Sequence, residues 1–307
     1  MAINRAFLGH GIFLQLQPIS GLRRYANYKT PLSKPTTSQL VDKFILAVTD
    51  MKISSVWFEL FTRTGIVDRD GKQGTRELGD GLKAAKIHAV PWAYCWSTNS
   101  QNTNPKDNDL QRAIDLCNKY KLDCFVADIE PGNSVTVKKK KLVDTWDAKA
   151  LDGLMTGLNK HFGADNLGIS SFANIDKNQQ PEARKFVPPV APLASFCAPQ
   201  IYWNKHDPVD WAEKSLKSWR DAGVTTELIA TVQSYWASDP KGPAQADMEK
   251  QVGKFLKSYP DSEYSKIVGL NWYHAGWEDN KKEGAMSDRM ITDIAAARLD
   301  QKPYKAM

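Results

Sequence analysis

Short apolar runs alternate with amphipathic stretches eight times along the 307 residues. The strand-like runs are 11–17, 53–61, 88–96, 123–130, 167–173, 195–203, 227–236 and 267–274. Helical patterns fill most gaps, at 37–50, 75–86, 110–121, 144–162, 208–222, 243–259 and 287–299. Strand and helix in strict alternation over about 300 residues fit a single (β/α)8 barrel occupying 1–307. No linker or composition shift divides the chain. A doubly wound open sheet is the alternative, but no GxGxxG or GxxxxGK[ST] phosphate loop supports it. Thr37 or Ser38 is expected to cap the first helix, Asp207 to cap the helix at 208, and Gly223 to stop it. Residues 174–192 carry Pro181, Pro188, Pro189 and Pro192 and read as irregular, with at most a short helix.

In such a barrel, chemistry sits where strands end. The fourth run, Cys124-Phe125-Val126-Ala127-Asp128-Ile129-Glu130-Pro131-Gly132, carries two acids and breaks at Pro-Gly. Alternation places Asp128 and Glu130 on one face, roughly 7 Å apart at Cα. One carboxylate of such a pair raises the pKa of the other, which suits a general acid near neutral pH. The alternative is an N-cap acid beside an ion-paired acid. The same parity sends Gln15 and Gln17 inward from the first run, and Trp57 and Glu59 from the second. It sends Trp92 and Tyr94 from the third, Gln200 and Tyr202 from the sixth, and Gln233 and Tyr235 from the seventh. The eighth gives Asn271 and Tyr273, with Trp272 and His274 replacing them if the register slips by one.

One mouth would thus collect three carboxylates, amides, phenols and indoles. Amides and phenols hydrogen-bond hydroxyls and acetamido groups, aromatic rings stack on sugars, and paired carboxylates cleave glycosides. Taken singly, each amide or phenol is a satisfied core group; their joint placement makes the site. Six of the ten Trp, at 92, 96, 203, 236, 272 and 277, fall near strand ends and suggest sugar platforms. Other chemistries lack their parts. There is no GxSxG elbow, no lysine inside a strand for a Schiff base and no metal-ligand spacing among five scattered His. No cofactor is called for.

The net charge is +6, from 41 basic and 35 acidic residues. That mild excess suits an anionic polymer without singling out nucleic acid. The Lys138–Lys141 run lacks interleaved aromatics and reads as a solvated loop face or a helix lead-in. No 18-residue apolar stretch marks a membrane span. The segment from Arg5 to Leu16 holds His10 and no clear cleavage site, so it reads as a strand instead of a signal peptide. Cys95, Cys117, Cys124 and Cys197 form no CxxC pair and read as buried free thiols made in a reducing compartment.

These residues resemble two groups of barrel glycoside hydrolases. Asp128-Ile129-Glu130 is similar to the fourth-strand Asp-x-Glu of family 25 lysozymes. Family 18 chitinases end that strand in DGxDxDxE. Asp123, Asp128 and Glu130 match its first, third and final acids, Val126 replaces the middle Asp, and Cys124 the Gly. Gln200-Ile201-Tyr202-Trp203-Asn204 resembles the chitinase M-x-Y-[DN] segment, interrupted by Trp203. The family 25 first-strand Asp has no evident counterpart, since Gln15 and Gln17 occupy that region. The resemblance implies that Glu130 protonates the leaving oxygen. Asp128 would then steady an acetamido group or the developing cation, Tyr202 bind the same centre, and Trp272 floor a sugar subsite. Glu59 is a spare carboxylate able to replace Asp128. The implied substrate is a polysaccharide with N-acetylhexosamine. Peptidoglycan is favoured by the basic charge and the family 25 spacing, as for a lytic module delivered to a cell wall. Chitin-like oligomers are one alternative, and a non-catalytic glycan-binding or structural barrel is another.

Overall fold

The computed structural model describes residues 3–14, 22–63, 65–68, 74–137, 140–237, 243–258, 267–274, 283–284 and 286–297. Eight parallel strands form the barrel. They are β1 (Gly9–Leu14), β2 (Ser55–Thr62), β3 (His88–Tyr94), β4 (Phe125–Asp128), β5 (Leu167–Phe172), β6 (Phe196–Ile201), β7 (Glu227–Gln233) and β8 (Gly269–His274). Each strand pairs with the next, and β1 pairs with both β2 and β8, which closes the sheet. Phe13 marks the seam, opposite Trp57 on one side and Tyr273 on the other. The (β/α)8 expectation holds. Gln15, Gln17 and Trp277 lie outside the described residues.

The outer ring consists of α1 (Thr37–Asp50), α2 (Thr75–Ala84), α3 (Asp109–Tyr120), α4 (Ala148–Phe162), α5 (Pro181–Val190), α6 (Pro208–Asp221), α7 (Gln245–Ser258) and α8 (Asp288–Ala297). Thr36, one residue before the expected cap, starts α1 through a reciprocal capping box with Gln39. Asp207 caps α6 as expected, and Gly223 follows it at φ +89°. The proline-rich segment contains ten residues of helix, α5. Pro181 occupies the first turn, where its missing N–H costs nothing. Ala183, Phe186, Val187 and Val190 bury one face, which offsets the hydrogen bonds lost at Pro188 and Pro189. Lys140 and Lys141 belong to an antiparallel hairpin, Ser134–Val137 with Lys140–Val143, inserted between β4 and α4. Among the described residues no helix is long and apolar enough to cross a membrane.

Two apolar layers follow from strand alternation. The outward residues pack against the helices. The inward ones, including Phe13, Trp57, Val126 and Phe196, fill the barrel. Phe7, on a short turn before β1, packs on Phe196 at 4.6 Å and on Trp57 at 6.2 Å between ring centroids. It plugs the N-terminal end, which leaves the C-terminal end as the open mouth. All four cysteines are free and buried, as expected.

The interior is tight at its glycines. A Cβ on Gly168 would meet the Phe196 ring at 2.0 Å, whereas one on Gly153 of α4 meets nothing within 4 Å. Gly168→Ala should therefore cost about 1–3 kcal/mol by overpacking. Gly153→Ala should add about 0.5–1 kcal/mol through helix propensity. Urea-unfolding midpoints of the two variants should move in opposite directions.

Candidate active site

Asp128 ends β4, yet the chain stays extended past it. Cys95 N–H donates to Asp128 O at 2.8 Å and Ile129 N–H to Ser170 O at 2.9 Å. The ladder on both sides thus carries Asp128 and Glu130 inward together. Pro131 stops the strand, and Gly132 turns the chain at φ +85°. That turn returns Asn133, whose backbone N–H donates to Glu130 O at 3.0 Å. Its side-chain amide donates to Glu130 Oε2 and, at 3.3 Å, to the Tyr94 hydroxyl. On the other side, the Gln200 amide donates to Asp128 Oδ1 at 2.8 Å and to Ser170 Oγ at 3.1 Å.

The two acids face a cavity of about 290 Å³, and Glu59 shares it. Trp92, Tyr94, Tyr202 and Tyr273 form the aromatic wall, with Phe13 beneath and Thr62 and Arg63 on the β2 side. Trp92 is fixed by its indole N–H to Leu14 O at 3.0 Å. Tyr202 stacks on Tyr273 at 4.5 Å, and Tyr235 meets both edge-on at 5.9 and 5.8 Å. Arg63 lies over the Trp96 ring at 5.2 Å.

Burial controls the protonation states. Glu130 is pushed up to about 7, mainly by desolvation. The Asp144 charge adds to this, and hydrogen bonds from Gln200 and Asn133 offset part of it. Asp128 is held well above the usual carboxylate range by burial and then by the Glu130 charge. The pair repulsion expected from the sequence is present, but desolvation outweighs it. Burial also keeps the Tyr202 and Tyr273 phenols neutral.

Eight of the expected site residues line this one cavity: Asp128, Glu130, Glu59, Trp92, Tyr94, Gln200, Tyr202 and Tyr273. Tyr235 borders it through its ring contacts. Three expectations are corrected. Trp272 is fully buried in the layer between barrel and helices, hydrogen-bonded to His10 and packed on Phe255 at 6.0 Å. Its neighbours Asn271 and Tyr273 point inward, so Trp272 must point out and cannot floor a subsite. Asn271 lies deep in the barrel, its amide oxygen 1.9 Å from where a Cβ of Gly11 would be. Gln233 is consumed by the loop after β6, accepting from Asn204 N–H at 2.6 Å and donating to Tyr235 O at 3.2 Å. Of the other expected Trp platforms, Trp203 fails for the same reason, having no exposed surface, whereas Trp92 lines the cavity. Asn133, Arg63 and Ser170 were missed. Asn133 had a signal in the Pro131-Gly132 turn, which folds the next residue back onto Glu130. Among the described residues no group of three or more His, Cys, Asp or Glu could hold a metal ion.

No family model matches the chain, and no curated protein matches it in sequence. Solved structures do resemble it. A chitinase from Rhizomucor miehei is 12% identical over 94% of this chain and 100% of its own, with a TM-score of 0.58. The Bacillus cereus spore cortex-lytic enzyme SleL is 10% identical over 94% and 74%, with a TM-score of 0.57. A chitinase from Chromobacterium violaceum is 11% identical over 94% and 98%, also at 0.57. Likeness at this identity establishes the shared barrel, and the roles of residues rest on the geometry above.

The raised pKa of Glu130 carries a stability cost. Its proton is held more tightly in the folded chain than in the unfolded one. Stability is therefore lost as pH rises from about 4.5 to about 7 and stays constant above that. Glu130→Gln removes this loss. The variant should unfold about 3 kcal/mol later than wild type at pH 8 and show little difference at pH 4, read from denaturant midpoints.

Proposed function

We propose that this chain is a glycoside hydrolase acting on N-acetylhexosamine glycans, with Glu130 as general acid. The observation that carries the reading is a pair of buried carboxyl groups on one strand face, each held by a side-chain amide, in an aromatic-walled cavity. Glu130 would give its proton to the glycosidic oxygen as the C1–O bond breaks. Gln200 and Ser170 hold the Asp128 carboxyl, which would accept an acetamido N–H or face the developing cation. The acetamido carbonyl would then close on C1, and water activated by the Glu130 carboxylate would reopen it. Tyr202 would hydrogen-bond the same centre, and Trp92 and Tyr273 would pack on the sugar. Chitinases and a cortex-lytic enzyme among the similar folds support this class of substrate.

Peptidoglycan is the favoured substrate within that class. Arg63 at the mouth offers a cation to a lactyl carboxylate, and the +6 charge suits an anionic wall. Four buried free thiols fit synthesis in a reducing cytoplasm before delivery to that wall. Release of reducing ends from purified peptidoglycan and from chito-oligomers tests the proposal. Wild type should cleave, peptidoglycan faster, and Glu130→Gln should lose about 10²–10⁴-fold in turnover. The rate should fall above about pH 7 as Glu130 loses its proton. Equal cleavage by Glu130→Gln would move the acid to Glu59. Glycan binding with no cleavage across the panel would leave a non-catalytic binding barrel.

A further inference from the structure

A second hollow, of about 230 Å³, adjoins the catalytic cavity and shares Gln200 and Tyr202 with it. It opens over the ends of β5 and β6, between Phe172, Asn174, Gln179, Gln180, Asn204 and Trp211. Every side chain lining it is uncharged, in contrast to the three carboxylates and the guanidinium next door. Asn174 is only 3% exposed, and neither its amide nitrogen nor its amide oxygen has a partner within the protein. The buried indole N–H of Trp211 is likewise without one. Such groups lose their water on folding and recover nothing, so an orphaned amide normally swings outward or is absent. Here the backbone on both sides of Asn174 is pinned. The Trp219 indole donates to Phe172 O and Ala173 O at 3.1 and 3.0 Å, and Ile175 N–H donates to Ser218 Oγ at 3.2 Å. Trp211 is held by the His206 ring, stacked at 4.3 Å.

We infer that this hollow is a sugar subsite that recognises an uncharged acetamido group through Asn174. The inference rests on the glycan-hydrolase reading and deepens it. Asn174 offers one donor and one acceptor to a ligand carrying both. Trp211 adds a donor, and Phe172 and Ala173 supply apolar surface for an acetyl methyl that a plain hydroxyl lacks. The absence of charge disfavours a carboxylated or cationic ring here. A charged muramyl-type residue would then lie toward Arg63, and an N-acetylglucosamine-type ring over Asn174.

The test is calorimetric titration of the full chain carrying Glu130→Gln, with and without Asn174→Ala, against triacetylchitotriose and cellotriose. Asn174→Ala should weaken chitotriose about tenfold and cellotriose less than twofold. Its melting temperature should equal or exceed that of the parent, because an unpaired buried amide is removed. A lower melting temperature with unchanged affinity would make Asn174 structural and overturn the subsite. An equal loss for both ligands would overturn acetamido recognition. If chitotriose binds and Asn174→Ala changes nothing, the subsite fails while the glycan reading stands. If neither wild type nor Glu130→Gln responds to chitotriose or to peptidoglycan fragments, both fail.

Discussion

Two carboxylates on one strand face, dried by the barrel around them, make the demand that the mouth is built to meet. An isolated buried carboxylate is too costly to keep ionised. Hydrogen bonds arriving from three places offset part of the desolvation that raises Asp128 and Glu130. Ser170 lies opposite Asp128 in the β4–β5 register, and Gln200 opposite Phe172 in the β5–β6 register. Asn133 comes from the turn directly after Glu130. The polar clamp is therefore only as good as the alignment of three neighbouring strands. That alignment depends in turn on interior fit. Gly168 is bare where Phe196 presses against β5, and a side chain there would part the two strands that bring Ser170 and Gln200 together.

The loops around the mouth are tied down by the same device in a second layer. Asp109 is fully buried and accepts Trp96 N–H at 2.8 Å. Asp144 accepts Ser97 N–H and the Trp146 indole, each at 2.9 Å. Asp144 also bonds through its backbone to Asn133 and Gly132. One carboxylate thus joins the loop after β3, the base of the hairpin and the turn that carries Asn133. Burial raises the pKa of both acids, Asp109 to about 6. Folding therefore favours the protonated form of both acids, and the stability of this layer is lost as pH rises, for Asp109 through about 6.

The barrel was legible because period-two and period-3.6 patterns are local properties of the chain. The inward set at β2, β3, β4 and β6 was legible for the same reason, since parity alone decides it. Trp272 was misplaced by the appeal of an indole at a strand end, although the parity that selected Tyr273 already excluded it. Gln233 and Asn271 point inward as read. Whether an inward amide meets ligand or protein depends on its height in the barrel and on a loop from another strand. Sequence pattern carries neither. The helix α5 was hidden because its two interior prolines are strong local signals, while the buried face at 183, 186, 187 and 190 draws its energy from tertiary contact. The pairing of Asn133 with Glu130 needs the exact turn geometry at Gly132.

Charge balance narrows what the resting site can be. Glu59, Asp128 and Glu130 share one small cavity, and Arg63 is the one cation among the residues lining it. Three ionised acids in so dry a space would repel more strongly than one mouth-side guanidinium could offset. At least one proton must stay in the site near neutral pH. In the chitinase pattern a further acid stands two residues before Asp128 and could share that proton. Here the position is Val126, buried among the inward aromatic residues. The proton is therefore confined to the Asp128–Glu130 pair and Glu59. Gln200 donates to Asp128 and Asn133 to Glu130, and these bonds offset part of the desolvation that raises both carboxyls. A proton held on a buried carboxyl that faces the cavity lies where a bound group could receive it. Val126 beneath the pair adds no further group to share that proton.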